Sequence, residues 1–595
     1  MQSNNLVKKL LGASSLAALS VGVAAVPAHQ ASAQDSNAGV YGGGSSLSSN
    51  FFRQVFDCYD GQRVVGDGVT LSTTPVFTPP TTPNKLPMSC GTAQTNSVEA
   101  LFASVGSGRG QQAFIADDAK QLVNGGAADG TGVGLPGIPP LYLDAASSSS
   151  DFNTYPYPEL HYTASDSPLP LPSLPTFTTM TTVAFSYAST SSTWATATAS
   201  GTVTTFVTTN PVVTATSVVS YNSNFGNPIQ LPAFEVPVTI AVNTKIMNGV
   251  QSSQTPITTP GHAMQLNVAQ VCAIFSGTVT NWDSGASISR LLASGSLSTE
   301  LFSDANVNAS HTTGQAYNST TLPIKVVYRG DGSGTSFIFT NFLKSSCVQL
   351  DNGSNHYSAI FSTGLPSTNF SVLVNNITAN GNSAANFTGV TGSQGVAVAI
   401  NNDMNNGHDG AIGYLSPDFT APYSALSTAP NSASVQDENQ RAGNQEFPTT
   451  FSFIAPLPAA ANLAFNALTV PAASATYNDW NIYAQTYNDG SALANDSILG
   501  IPKAAGAYPI VGTTFVELYT CYNTAAKGTK MVNFLNWYFN GASAGTTPQP
   551  AVANILLNSG FNALNVRLAG AIHTNYLSGG STGIQGSSCT AGTGA

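Results

Sequence analysis

Charge is scarce in this chain: Asp, Glu, Lys and Arg together make up 8% of its 595 residues. The formal net charge is −11 and no basic run interrupts the sequence, so the electrostatic footprint of a nucleic-acid binder is missing. Beyond the N-terminus no stretch offers the roughly 20 consecutive apolar residues a membrane helix needs, and membrane insertion is not expected. Cysteine is limited to six residues, none in a C-x-x-C pair and none with histidine at ligand spacing. Neither a metal nor another cofactor is therefore expected. The glycine–lysine pattern of a nucleotide P-loop is absent, and nucleotide hydrolysis goes with it. Two matches to G-x-S-x-G exist, at 541–545 and 579–583. One follows a helical pattern and the other lies in a glycine-rich tail, whereas a nucleophile elbow must sit between a strand and a helix.

What is present begins with a leader. Lys8 and Lys9 precede an apolar run that ends near Val26, and Ala31-Ser32-Ala33 closes it, the pattern of a secretory signal over residues 1–33. No cysteine follows the expected cut, so a lipid anchor is not expected. Cys58, Cys90, Cys272, Cys347, Cys521 and Cys589 then read as three disulfides of an exported chain, with 15 pairings open to spacing alone. Pro-, Thr- and Gly-rich segments at about 59–96, 122–158 and 425–504 read as inserts. A further one at 176–220 is dense in Thr, Ser and Val, which argues for strands or hairpins.

Three turns carry the chemistry. Val326-Val327-Tyr328-Arg329-Gly330-Asp331-Gly332-Ser333-Gly334-Thr335 reads as a strand, a glycine-rich turn and the opening of a helix on which Ile338 and Phe342 share the buried face. Val40-Tyr41-Gly42-Gly43-Gly44-Ser45-Ser46-Leu47 repeats that logic ahead of Phe51 and Val55, and Ser104-Val105-Gly106-Ser107-Gly108 repeats it again. Such turns aim backbone N–H groups and hydroxyls at one point near a helix N-terminus, where an anion is stabilised. Arg329 adds a cationic fork. Asp331 adds an acceptor, which suits an oxyanion that itself carries a hydrogen. Arg329-Gly330-Asp331 also spells an adhesion tripeptide, but its arginine is expected to face a cleft.

These turns resemble the signature of the phosphate-binding periplasmic receptors of ABC importers and of their relatives, the DING proteins. Leu160-His161-Tyr162-Thr163-Ala164-Ser165-Asp166 resembles the family's strand ending in a buried acidic ligand. Ile229–Asn243 and Tyr508–Phe515 resemble its two lobe crossings. The departures point both ways: Leu47 stands where the importer receptors carry an aromatic residue, whereas Asp331-Gly332 follows those receptors rather than DING proteins. The resemblance implies an α/β, two-lobed periplasmic-binding-protein (type II) fold with β-rich Thr/Ser inserts. Its lobes would be 34–240 plus 508–595, and 241–507. It implies a site of Ser46, Leu47, Ser107, Asp166, Arg329, Asp331, Ser333, Gly334 and Thr335, and disulfides Cys272–Cys347 and Cys521–Cys589, with Cys58–Cys90 beside them. The implied protein is a monomeric, periplasmic or secreted binder of inorganic phosphate, with an ABC permease as partner where it serves uptake. An extracellular DING-type alkaline phosphatase, and an adhesive surface protein on the same fold, are the alternatives.

Overall fold

The computed structural model describes residues 39–59, 99–117, 160–169, 180–188, 198–206, 225–243, 259–282, 284–291, 296–302, 323–402, 410–424, 429–439, 452–472, 479–488, 496–539, 549–578 and 583–584. Two mixed sheets, each with helices packed on it, form two lobes.

In the first sheet the strands run Asn562–Ala563, Ile229–Pro237, Val511–Leu518, Tyr162–Ser165, Gly39–Gly44 and Glu99–Ser104, in that spatial order. The last three are parallel, and Val511–Leu518 is antiparallel to both of its neighbours. The second sheet is ordered Phe387–Val390, Lys325–Arg329, Ala411–Leu415, Thr239–Val242, Asn431–Gln436 and Phe453–Ile454, with Met264–Leu266 paired to Asn431–Gln436. Ile229–Pro237 therefore ends in one lobe and Thr239–Val242 begins in the other. Between them, the Val238 N–H donates to the Ile510 carbonyl at 2.8 Å, tying the outgoing crossing to the returning one.

Each glycine turn does what its sequence predicts. Gly39–Gly44 feeds the helix Ser49–Tyr59, whose Phe51 and Val55 are buried. Glu99–Ser104 feeds Ser107–Ala116, and Lys325–Arg329 feeds Gly334–Cys347 with Ile338 and Phe342 inward. Cys272 and Cys347 form a disulfide, and Cys58 and Cys521 are also disulfide-bonded. Cys90 and Cys589 lie outside the described residues, as do the segments 60–98 and 118–159. The Thr/Ser-rich segment contains a hairpin, Met180–Ala188 against Thr198–Phe206.

Residues 425–504 require a correction, because they are not simply an insert. Asn431–Gln436 is fully buried and pairs with Thr239–Val242, while the helix Pro458–Phe465 packs on Ile229–Pro237. Among the described residues no helix is long and apolar enough to cross a membrane.

Candidate functional site

The three turns meet at the strand ends where the lobes face one another. Gly106, at φ 86°, donates its N–H to the Gly44 carbonyl at 2.7 Å and so joins the first turn to the second. A Cβ on Gly106 would sit 2.8 Å from the Gly332 carbonyl of the third turn. Only glycine combines that backbone with that approach. Gly334 opens its helix directly against Asp166 and Ser107, which belong to the other lobe.

Asp166 is the centre of the lobe-one side and is 1% exposed. Its Oδ2 accepts from Ser45 Oγ at 2.6 Å and from Ser107 Oγ at 3.4 Å, and its Oδ1 accepts from Thr514 Oγ1 at 2.7 Å. Ser107 Oγ also accepts the Asp166 N–H at 3.1 Å, and Tyr483 donates its hydroxyl to the Asp166 carbonyl at 3.1 Å. Burial pushes the carboxyl up to about 6, against the pull of those hydroxyls and of the Arg329 charge. A carboxylate offers about four lone-pair positions. Three are filled here.

On the lobe-two side Arg329 is 1% exposed. Nε and Nη2 donate to the two oxygens of Asp331, the first at 2.7 Å, and Nη1 donates to Ser393 Oγ at 3.1 Å. Asp331 Oδ1 also accepts the Gly392 N–H at 3.1 Å. Burial would raise the Asp331 carboxyl, but the guanidinium and this N–H hold it below the usual carboxylate range. An arginine buried in this way is not displayed as part of an adhesion tripeptide.

The other expected site residues fall around these two centres. Ser46 Oγ lies 3.5 Å from Ser393 Oγ, across the lobes. The Leu47 N–H donates to Ser45 Oγ at 3.1 Å. Ser333 caps its helix by accepting from the Ser336 N–H at 3.4 Å, and its own N–H donates to the Thr368 carbonyl at 2.9 Å. Thr335 is 1% exposed, and its hydroxyl has no hydrogen-bond partner. A buried hydroxyl left unmatched is costly, and such a group calls for an explanation.

Sequence reasoning missed Ser45, Thr514, Ser393 and Tyr483. Ser45 lies beside Ser46 in the same turn, and Thr514 lies in the crossing segment Tyr508–Phe515 that resembles the family's. Nothing in the local sequence singles out Tyr483. Asp418 was also missed. It is 3% exposed, burial pushes it up to about 7, and its Oδ2 accepts from Asn50 Nδ2 at 3.0 Å. The G-x-S-x-G match at 541–545 lies outside the described residues, as does most of the one at 579–583.

A family model described as "PBP superfamily domain" matches residues 171–541. A curated sequence from Pseudomonas aeruginosa (strain UCBPP-PA14), named Alkaline phosphatase L, is 27% identical over 345 residues. That match covers 56% of this chain and 64% of the relative, so the chain spans just under two thirds of that protein's length. A sequence named Phosphate-binding protein, from an unknown prokaryotic organism, is 25% identical over 387 residues, 62% of this chain and 81% of the relative. Among solved structures, a high affinity periplasmic phosphate-binding protein (PfluDING) bound with phosphate superposes with a TM-score of 0.51 at 19% identity. It covers 94% of this chain and 99% of that one. The ancestral soluble variant of the Human Phosphate Binding Protein gives 0.50 at 20% identity, with 94% and 99% coverage. At these identities the likeness is one of fold.

Proposed function

The chain belongs to the PBP superfamily, and from that premise we propose that it captures inorganic phosphate in the cleft between its lobes. One observation carries the reading: Asp166 keeps a single open acceptor position in a buried site otherwise lined with donors. Hydrogen phosphate brings an O–H to that position, and its remaining oxygens accept from Ser46, Ser333, Thr335, Arg329 and the backbone N–H of Gly334. Ser107 and Leu47, which donate to Asp166 and Ser45, line the site and hold those acceptors in place. Hydrogen bonds to a charged group contribute roughly 1.5–3 kcal/mol each. Sulfate has no hydrogen at neutral pH, so its oxygen meets a carboxylate lone pair in a dry cleft. A site built for a hydrogen bond can reject the ligand lacking it by about 10⁴. The unpartnered Thr335 hydroxyl fits the same account, as a donor held ready for the anion.

The phosphate-binding protein relative and the phosphate-bound fold neighbour support this reading. In it, residues 1–33 direct export, 34–240 and 508–595 build the first lobe, and 241–507 build the second except where the helix Pro458–Phe465 and Tyr483 pack back onto the first. The protein works in the periplasm or the medium, and an ABC permease takes the phosphate where it serves uptake. Calorimetry with phosphate, arsenate and sulfate tests the reading: the first two are expected to bind and sulfate is not. Equal affinity for sulfate would overturn it.

A second reading is phosphomonoester hydrolysis, favoured by the Alkaline phosphatase L relative. Turnover of a chromogenic phosphate ester by the purified chain separates the two.

A further inference from the structure

Beside the anion site the lobes touch at a second place. Asp418 sits in the one-turn helix Pro417–Phe419 that follows the strand Ala411–Leu415, so it faces the cleft from lobe two. That turn is stiff: the Phe419 N–H donates to the Ser416 carbonyl, and both the N–H and the hydroxyl of Thr420 donate to the Pro417 carbonyl. Asn50, in the first turn of the helix Ser49–Tyr59, reaches across from lobe one to Asp418 Oδ2. Next to this contact Gly560, at φ 82°, lies flat against Pro417 and the Tyr423 ring, where a Cβ would sit 2.4 Å from the proline Cβ. Gly560 follows the helix Pro550–Asn558, which packs on Ser49–Tyr59. Asn50 and Gly560 therefore form one ledge of lobe one on which the turn of Asp418 rests.

This contact gives the carboxyl little. Asp418 Oδ1 has no hydrogen-bond partner and neither has the neighbouring Ser416 hydroxyl, although both are buried. When the lobes part, both groups regain water. In a hinge closure, Asp418 would exchange its hydration for the Asn50 amide and the weak support of the nearby Ser416 hydroxyl, and come within range of the charge on Asp166. A buried carboxylate without a cationic partner is expensive, and here burial outweighs the help of Ser416 and Asn50. Burial pushes it up to about 7, so closing either strands a charge or takes up a proton. At pH 8 both oppose closure.

We propose that Asp418 is a release element: it opposes closure of the cleft, Asn50 partly offsets that opposition, and the balance sets how fast the anion leaves. This rests on the reading of the cleft as a phosphate site that closes by hinge motion. A ligand can shift such an equilibrium only by its differential affinity for the closed form, so anything that penalises closure weakens apparent binding.

The test compares two variants whose effects go in opposite directions. Asp418→Asn keeps an oxygen for Asn50 and removes the charge. At pH 8 its phosphate dissociation rate is expected to fall at least tenfold, with the association rate within about threefold of wild type. Asn50→Ala removes the offset and is expected to speed dissociation several-fold. Dissociation that is faster or unchanged in Asp418→Asn would overturn the proposal, because the carboxylate would then be a latch or inert. Small-angle scattering of the ligand-free chains reads the same equilibrium without phosphate: Asp418→Asn is expected to be more compact than wild type, and equal or larger dimensions count against the proposal. If wild type binds no phosphate, the function assigned above fails, while the scattering comparison still decides the role of Asp418.

Discussion

Gly334 and Asp166 touch so closely across the lobes that a methyl group on the glycine would sit 2.5 Å from the aspartate Cβ. It would also sit 2.6 Å from Ser107 Oγ. Gly334 is the first residue of its helix, without a positive φ that would itself demand glycine. Its lack of a side chain thus serves contact between the lobes rather than the local turn. Gly334→Ala is expected to leave the thermal midpoint within a few degrees of wild type and to weaken phosphate binding at least a hundredfold. Calorimetry beside a melting curve checks both halves. Unaltered affinity would show that the lobes bind the anion without meeting here.

Thr335 separates stability from binding in another way. Its hydroxyl is buried and has no partner among the described residues, so Thr335→Val removes a liability of the ligand-free site. The ligand-free variant is expected to be as stable as wild type or more so, by up to about 1 kcal/mol. Its phosphate affinity should fall ten- to a hundredfold. A variant that loses stability and keeps affinity would assign the hydroxyl to the fold.

Asp166→Asn is expected to erode the preference for phosphate over sulfate far more than it harms folding. The amide can donate where the carboxylate only accepts, so it no longer rejects an oxyanion that lacks a hydrogen. Titrating both anions into both proteins measures the ratio of affinities. The same large ratio in wild type and variant would remove Asp166 from the account of selectivity.

Stability should depend on pH in the direction set by burial. Asp166 is pushed up to about 6, and Glu235 and Asp418 to about 7. For an acid raised on folding, the folded chain holds the proton more tightly. Its contribution is therefore full below the ordinary value near 4 and is lost as pH climbs through the folded value. Asp331 is shifted the other way and matters only at about pH 4 and below. Scanning calorimetry of the ligand-free chain should give a midpoint that falls by several degrees between pH 5 and pH 8. A midpoint that rises over this interval would contradict it.

The disulfide between Cys272 and Cys347 closes a span of 75 residues inside the second lobe. Loop-closure entropy assigns such a link about 4 kcal/mol. Replacing both cysteines by alanine should lower the denaturant midpoint accordingly and leave phosphate affinity within about twofold at 25 °C. A tenfold loss of affinity would mean that the link also positions the helix bearing Gly334.

The glycine turns were legible because their chemistry is local: a strand end, a hydroxyl and a residue without a side chain stand within a few positions of one another. Asp166 was legible only through its likeness to a family pattern. Thr514 completes the aspartate's hydrogen bonding from 348 residues away, a partnership that no spacing reveals. Asn431–Gln436 was hidden for a different reason. A strand buried on both faces ordinarily reads as an apolar run, yet this one is Asn-Ser-Ala-Ser-Val-Gln. Its polar side chains find partners instead. Ser432 Oγ accepts the Gly261 N–H, Ser434 Oγ donates to the Gly261 carbonyl, and Gln436 Oε1 accepts the Val268 N–H.

The strand Val511–Leu518 lies between Tyr162–Ser165 and Ile229–Pro237, pairing with the second along its length and with the first over Phe515–Leu518. While the chain is being made, those two halves have no common neighbour until residue 518 has left the ribosome. The seven strands of the second sheet have all been synthesised by residue 454. The later-starting lobe can therefore acquire its tertiary structure first. The earlier one can pair its three parallel strands by residue 165 but keeps the edge of Tyr162–Ser165 open until Val511–Leu518 arrives.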